Sequence, residues 1–170
     1  KQGSITFDPK LPAEKTEAIK AIGAGLLNKV ALKFPKVFWD PDPHWITRLS
    51  EEKGDFTTWR NFAPYTGAPV LVAFNAGAFA RKIEKASDEE IKGKAMAALK
   101  TLYGDSIPDP IGVQITRWEA DPFAHCSYSF PAVGMTEQTR KDLATPVAER
   151  IFFAGEATSS EYPSTVHGAF

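Results

Sequence analysis

Apolar and polar positions recur along this chain with two different periods, and the period changes at glycines and prolines. After Pro9 and Pro12, "AEKTEAIKAI" places Ala18, Ile19 and Ile22 at helical spacing, and Gly23 and Gly25 interrupt the pattern. "KVALKF" then alternates strictly. Val30, Leu32 and Phe34 share one face and Lys29 and Lys33 the other, which predicts a half-buried strand. "FWDPDPHW" reads as a proline-rich loop heavy in aromatics, with packing as its role. "DFTTWRNF" and "PVLVAF" predict two further strands, the second apolar on both faces as at a sheet centre. Ser87 and Glu90 form a capping box ahead of "IKGKAMAALKTLYG". In that helix Ile91, Ala95, Ala98, Leu99 and Leu102 make the apolar stripe, and Gly104 ends it. "IGVQITRW" alternates again, with Ile111, Val113 and Ile115 on a core-filling face. Residues 136–148 read as a helix or loop connector, and "RIFFAG" as a last short strand.

This order of elements predicts an α+β fold, a mixed and largely antiparallel sheet with flanking helices. At 170 residues the chain can bury one good core or form one lobe of something larger. No internal repeat or low-complexity segment breaks it up. It begins at Lys1, directly before a strand-like stretch, and stops within a small-residue run, so both ends read as cut.

Composition narrows the functional classes. Hydrophobic content of 43% and a net charge of −1 fit a globular domain, with no basic excess of the kind that nucleic acid or a membrane surface attracts. The apolar run from Ala68 to Ala80 is interrupted by Asn75 and is too short to span a bilayer. No signal peptide opens the sequence, and the expectation is a soluble, cytoplasmic protein. Cys126 is alone, which excludes a disulfide framework, and His44 and His125 lack ligand spacing, so no metal site is expected. Asp88, Glu89 and Glu90 suit the electrostatics of a helix start, and Lys92, Lys94 and Lys100 a solvated helix face. Neither G-x-G-x-x-G nor a P-loop occurs.

The candidate chemistry lies towards the C-terminus. "FFAGE" puts a flexible backbone and a carboxylate at the end of an apolar stretch, where α/β sheets hold ligands; by itself it reads first as a plain strand-to-loop turn with a solvated Glu. The longer string "FFAGEATSSEYPSTVHGAF" closely resembles the C-terminal FAD-contact segment of the flavin-dependent amine oxidases, the family of polyamine oxidases, monoamine oxidases and lysine-specific histone demethylases. The resemblance extends over nearly the whole chain. "LLNKVALKFPKVFWD" is similar to the family's substrate-domain strand and "VFW" loop, "ITRWEADPFAHCSYSF" to the segment beside the flavin, and "KQGSITFDPKLP" to the stretch that starts at the active-site lysine. It implies a substrate-binding lobe over residues 1–135 and the C-terminal return of the FAD lobe over 136–170, with the dinucleotide-binding half elsewhere as a partner.

The resemblance also implies roles. Lys1 falls on the family's active-site lysine, where it would hold a water near the flavin. Tyr128 falls on one wall of an aromatic cage that orients the substrate amine, although a core tyrosine is the commoner fate of that residue. The cage position of Trp59 is carried over with it. The second wall of many family members is aromatic, and here it is Thr165; the histone-demethylase branch has a threonine there, so the site should be wider on that side. Trp118 is placed beside the flavin, against an equally weighted reading as a tryptophan of a second core. Gly155, Glu156, Ser164, Thr165 and Val166 are the remaining FAD contacts, with the amides of Thr165 and Val166 facing the ring's polar edge. Glu156 and a pyrophosphate would repel each other, so its carboxylate suits ribityl hydroxyls or backbone donors that shape the loop. Cys126 stands where a small glycine is usual and reads as a buried small hydrophobe, and His167 as a loop histidine.

The implied reaction is oxidation of a primary or secondary amine, possibly a polyamine, to an imine, with dioxygen reduced to hydrogen peroxide and FAD carrying the electrons. The alternative within the superfamily is an L-amino-acid oxidase, which needs a cation for the substrate carboxylate; Arg48, Arg60 and Arg117 are candidates that the sequence does not separate. The alternative outside it is a non-catalytic substrate-recognition module. Without a dinucleotide-binding βαβ unit the chain alone is expected to hold FAD weakly and to turn over no amine.

Overall fold

A computed structural model describes residues 5–170. In chain order its elements are α1 (Ala13–Ala21), β1 (Gly23–Gly25), β2 (Leu27–Lys33), β3 (Trp45–Thr47), β4 (Thr58–Asn61), α2 (Ala63–Thr66), β5 (Val70–Ala76), α3 (Gly77–Glu84), α4 (Asp88–Tyr103), β6 (Gly112–Ile115), β7 (Tyr128–Phe130), α5 (Glu137–Ala144) and α6 (Val166–Ala169). The α+β class holds: every strand pair is antiparallel and helices accompany both sheets. The chain divides into two compact units, Leu26–Ser127 and the described residues up to Gly25 together with Tyr128–Phe170. That division differs from a partition at residue 135.

The 26–127 unit is a five-stranded sheet in the order β3-β4-β5-β2-β6. The alternation in "KVALKF" is realised, with Asn28, Val30 and Leu32 buried and Lys33 exposed. Their face meets α3 and α4. Val30, Leu32, Phe34, Trp59, Leu71, Phe79, Ile83, Ile91 and Leu99 form one apolar core. The α4 start is a capping box in both directions, Glu90 N–H to the Ser87 hydroxyl and Ser87 N–H to the Glu90 carboxylate. Gly104, with φ of 82°, ends the helix. The expected stripe needs one correction. Leu102 is exposed, and Tyr103, four residues after Leu99, packs against the core in its place because it stays on the sheet-facing side. The aromatic loop packs as expected: Phe38 meets Phe34, Trp39 and Tyr103 edge-on.

A second correction concerns β6. Val113 pairs with Leu32 and Ile115 with Val30, so the parity is as read from the sequence. Yet β6 is the sheet edge, and Ile111 and Val113 are 66% and 40% exposed; of the three only Ile115 packs against the core. Strand β3 and helix α3 went unforeseen, because α3 hides inside the apolar run from Ala68 to Ala80.

Polar residues close one end of this core. Asn28 Oδ1 accepts from the Thr116 hydroxyl and Trp118 N–H, and its amide donates to Glu84, which also accepts from Ala120 N–H. Asn75 is paired in register with Asn28 and fully buried, and neither of its amide atoms has a hydrogen-bond partner among the described residues. A buried amide without partners costs about 1–3 kcal/mol. Asn75→Val is therefore expected to raise the denaturation midpoint of the chain. A fall would mean that the amide is bonded to buried water.

In the second unit β1 pairs with β7, Gly23 opposite Phe130 and Gly25 opposite Tyr128. Gly23 and Gly25 are thus strand residues, not simply the end of α1. Phe130's ring lies over Gly23, where a Cβ would meet it at 2.6 Å. Helices α1 and α5 are tied by Lys15, a buried residue whose ammonium donates to the carbonyls of Asp142, Leu143 and Thr145 at 2.6 Å each. These are carbonyls at the C-terminal end of α5, which a cation satisfies well. Burial lowers the Lys15 pKa, and the charge of Asp142 pulls partly the other way. The expected strand in "RIFFAG" is corrected to a single bridge between Val147 and Ile151, with Phe152 71% exposed. Phe153 turns inward beneath Lys15, but among the described residues no strand lies alongside to extend a ladder.

Candidate functional site

A carboxylate organises the C-terminal loop. Gly155 has φ of 111°, a conformation that favours glycine, and the space its Cβ would fill is open. The next residue, Glu156, opens a 3-10 turn through Thr158. Its carboxylate accepts the Ser129 N–H at 2.9 Å, the Ser129 hydroxyl at 2.6 Å and the Ser164 N–H at 2.6 Å. Arg140, buried, donates to the same Ser129 hydroxyl and to the Ala157 carbonyl. Ser164 returns a hydrogen bond from its hydroxyl to the Ser129 carbonyl at 2.8 Å. Ser164 sits at φ of 61°, unusual for a non-glycine residue, and these two bonds hold it there. Burial pushes the Glu156 carboxyl upward, but the Ser129 hydroxyl, the Ser129 and Ser164 amides and the Arg140 charge outweigh it. Its pKa lies below the usual glutamate value.

The lock has a geometric result. Tyr128 precedes Ser129 and Thr165 follows Ser164, so fastening Ser129 and Ser164 to one carboxylate brings the segments of Tyr128 and Thr165 together. Tyr128 is 38% exposed at its strand, and Val166 is 89% exposed at the start of α6. Thr165 caps that short helix: its hydroxyl accepts from Gly168 N–H and donates to the Tyr162 carbonyl. Gly168 must lack a Cβ, because one would lie 1.9 Å from the Tyr162 oxygen. His167 lies against the Tyr162 ring at 4.6 Å. Tyr128, Gly155, Glu156, Ser164, Thr165 and Val166 thus belong to one loop cluster. Of the two uses open to Glu156, its oxygens serve the shaping of the loop.

The other candidates lie elsewhere. Trp118 is 38% exposed, beyond the end of β6, and the bond from its N–H to Asn28, not strand alternation, sets its place; a second-core position is excluded by that exposure. Trp59 is a correction. It is fully buried, stacked on Phe56 with its indole N–H on the Phe56 carbonyl, and offers no face to a ligand. It sits on the core-facing parity of β4, and Arg60 occupies the opposite face. Lys1 lies outside the described residues. Cys126 is half-buried and not in a disulfide. Among the described residues no cluster of His, Cys, Asp and Glu is arranged to hold a metal ion, and no helix is long and apolar enough to cross a membrane.

The three arginines are now distinguishable. Arg48 is bonded to the Asp55 carboxylate at 2.7 Å, and Arg117 to Asp88 at 2.7 Å and to two carbonyls. Arg60 has no carboxylate partner among the described residues. Its guanidinium lies 4.6 Å from the rings of both Trp45 and Tyr65 and is hydrogen-bonded to the Tyr65 hydroxyl. Sequence reading missed Lys15 and Arg140, which look like surface cations in a helical pattern. Asn28 and Asn75 are legible in the sequence as polar residues at apolar parity in two strands.

Comparison with known proteins adds the family. The chain is 41% identical to the rice (Oryza sativa subsp. japonica) protein named lysine-specific histone demethylase 1 homolog 1, over 99% of its own length and 21% of that protein. It is 42% identical to the Arabidopsis thaliana protein FLOWERING LOCUS D, over 100% of its length and 22% of the relative. It is 40% identical to a Drosophila melanogaster protein named possible lysine-specific histone demethylase 1, over 98% and 20%. The chain thus spans about a fifth of the length of these relatives. The model of the flavin containing amine oxidoreductases matches residues 1–170, so the chain belongs to the flavin-containing amine oxidoreductase family.

Proposed function

We propose that this chain is part of an FAD-dependent amine oxidase whose substrate is an N-methylated lysine side chain, in preference to a free polyamine. The observation that carries the reading is the Glu156 lock, which fastens the Tyr128 strand to the Ser164–Val166 turn and leaves Tyr128 and Val166 exposed beside each other's segments. The names of the relatives and the threonine at position 165 favour the methyl-lysine substrate. In this reading residues 26–127 contribute the substrate lobe and Tyr128–Phe170 the flavin lobe.

The loop fits a flavin in one respect that can be checked against geometry. The open space at the Gly155 Cβ position and the exposed start of α6 leave backbone accessible to a flat ligand. When bound, FAD would accept the electrons of amine oxidation. The work of the chain is placement. Tyr128 offers a ring face against the amine and excludes water, the short Thr165 side chain leaves room for a substituted nitrogen, and Glu156 keeps both in register. Lys1 would hold a water near the reacting centre and favour negative charge there.

The test uses the full-length protein. Hydrogen peroxide release is measured with a dimethyl-lysine peptide and with spermine, and flavin content by absorbance. Tyr128→Ala is expected to lower peptide oxidation at least tenfold with flavin content unchanged, while Tyr128→Phe keeps most activity because the ring face matters. Lys1→Met is expected to slow flavin reduction or reoxidation in stopped flow. Faster turnover of spermine than of the peptide would overturn the methyl-lysine reading, and wild-type rates in Tyr128→Ala the cage assignment.

A further inference from the structure

One pair of side chains holds the chain where β6 ends. Asn28 in β2 and Glu84 at the end of α3 are buried, and the Asn28 amide donates to one Glu84 oxygen at 2.9 Å. The oxygens left over both serve the segment after Ile115. Asn28 Oδ1 accepts the Trp118 N–H at 3.1 Å and the Thr116 hydroxyl at 3.2 Å, and the other Glu84 oxygen accepts the Ala120 N–H at 2.7 Å. The Arg117 side chain clamps the same segment, donating to the carbonyls of Glu84 and Ala86 and to the Asp88 carboxylate. The backbone at Trp118 and beyond it is thus fixed, while the indole is not. The ring is exposed, and among the described residues it stacks on no other ring and its N–H has no acceptor.

We infer that Asn28 and Glu84 are positioning residues that present the Trp118 ring to the flavin. The inference rests on the amine-oxidase reading, in which that ring packs beside the cofactor. Both residues act through backbone amides and not through the indole. Closing the end of a core needs no such pair, since apolar side chains there would avoid burying a carboxylate. What the pair adds is direction, because hydrogen bonds at residues 118 and 120 fix the backbone orientation at both. A ring held in this way loses little freedom when a flat ligand meets it. The polar atoms are matched in one polarity. Glu84 only accepts, so Asn28 must turn its N–H₂ to Glu84, which leaves its oxygen for residues 116 and 118. Glu84→Gln alone breaks the match, because the new amide has one oxygen for two donors. Asn28→Asp alone sets two carboxylates against each other. Together the two changes restore the match with the central bond reversed: the new glutamine donates to the new aspartate, and each keeps an oxygen for its backbone amide.

The test uses the full-length protein with three readouts: flavin fluorescence, which contact with an indole quenches, flavin reduction in stopped flow, and hydrogen exchange at the Trp118 and Ala120 amides. Trp118→Leu is expected to raise flavin emission. Glu84→Gln and Asn28→Asp should each raise it part of the way and slow flavin reduction with flavin content unchanged. Each should also speed exchange at the two amides about tenfold, as loss of one hydrogen bond to a charged group implies. The double variant Asn28→Asp/Glu84→Gln should return all three readouts towards wild type. With Trp118→Leu in place, Glu84→Gln should change emission and reduction rate little further, since the pair acts through that ring. Wild-type emission in both single variants, a double variant as impaired as the single ones, or an undiminished effect of Glu84→Gln beside Trp118→Leu would each overturn the inference alone. Where a single variant fails to fold, the double variant decides: emission like wild type supports the inference, and emission like Trp118→Leu overturns it. A wild-type protein that holds no flavin would overturn the amine-oxidase reading and this inference with it.

Discussion

Replacing Trp59 with alanine is expected to destabilise the 26–127 unit by about 3–5 kcal/mol, the range for removing a fully buried large aromatic. The indole fills the space between Phe56 and the sheet and satisfies the Phe56 carbonyl, so both packing and a buried hydrogen bond are lost. Trp59→Phe should cost much less, about 1–2 kcal/mol, since the ring volume largely survives and mainly the N–H bond goes. Tyr128→Ala should change stability by less than 1 kcal/mol, because its side chain is already substantially exposed. Urea denaturation of the three variants separates the residues. If Trp59→Ala were as stable as wild type, the tryptophan would not be core, and its assignment to a substrate wall would return.

Glu156→Gln is expected to loosen the C-terminal loop at a cost of about 1.5–3 kcal/mol, the range for losing a hydrogen bond to a charged acceptor. Three donors converge on the carboxylate, and an amide can present only one acceptor oxygen to them while turning an N–H₂ group towards another donor. Arg140 would also lose the nearby opposite charge. The pH dependence follows from the direction of the shift. The folded carboxyl titrates below the unfolded one, so its contribution is fully present above the unfolded glutamate value of about 4.3 and is lost as pH falls through the lower folded value. The gap in stability between wild type and Glu156→Gln should therefore be widest above pH 5 and close progressively below about pH 4. Hydrogen exchange at the Ser129 and Ser164 amides would report the loosening directly. A gap that stayed constant down to pH 2 would mean that the carboxylate charge does not hold the loop.

What the chain by itself determined is the local part. The alternation of "KVALKF", the Ser87–Glu90 box and the glycine after Tyr103 became β2, the start of α4 and its end, because each depends on residues within a few positions of one another. The long string from Phe152 to Phe170 carried the family resemblance, and within it Glu156 and Ser164 are fastened together, with Thr165 capping the turn that follows. Contacts remote in sequence decided the rest. Whether Val113 is buried depends on β6 being an edge, which no pattern within "IGVQITRW" records. Whether "RIFFAG" is a strand depends on a partner edge, and a strand cannot satisfy its backbone alone. Trp59 and Arg60 are neighbours in sequence on opposite faces, so an error of one residue exchanges core for surface. Lys15 and Arg140 read as solvated charges until the fold brings the end of α5 to one and Ser129 to the other. Glu156 could not be assigned between ligand and loop until the tertiary structure placed Ser129, 27 residues away, against both of its oxygens, because a carboxylate takes whichever donors the fold delivers to it.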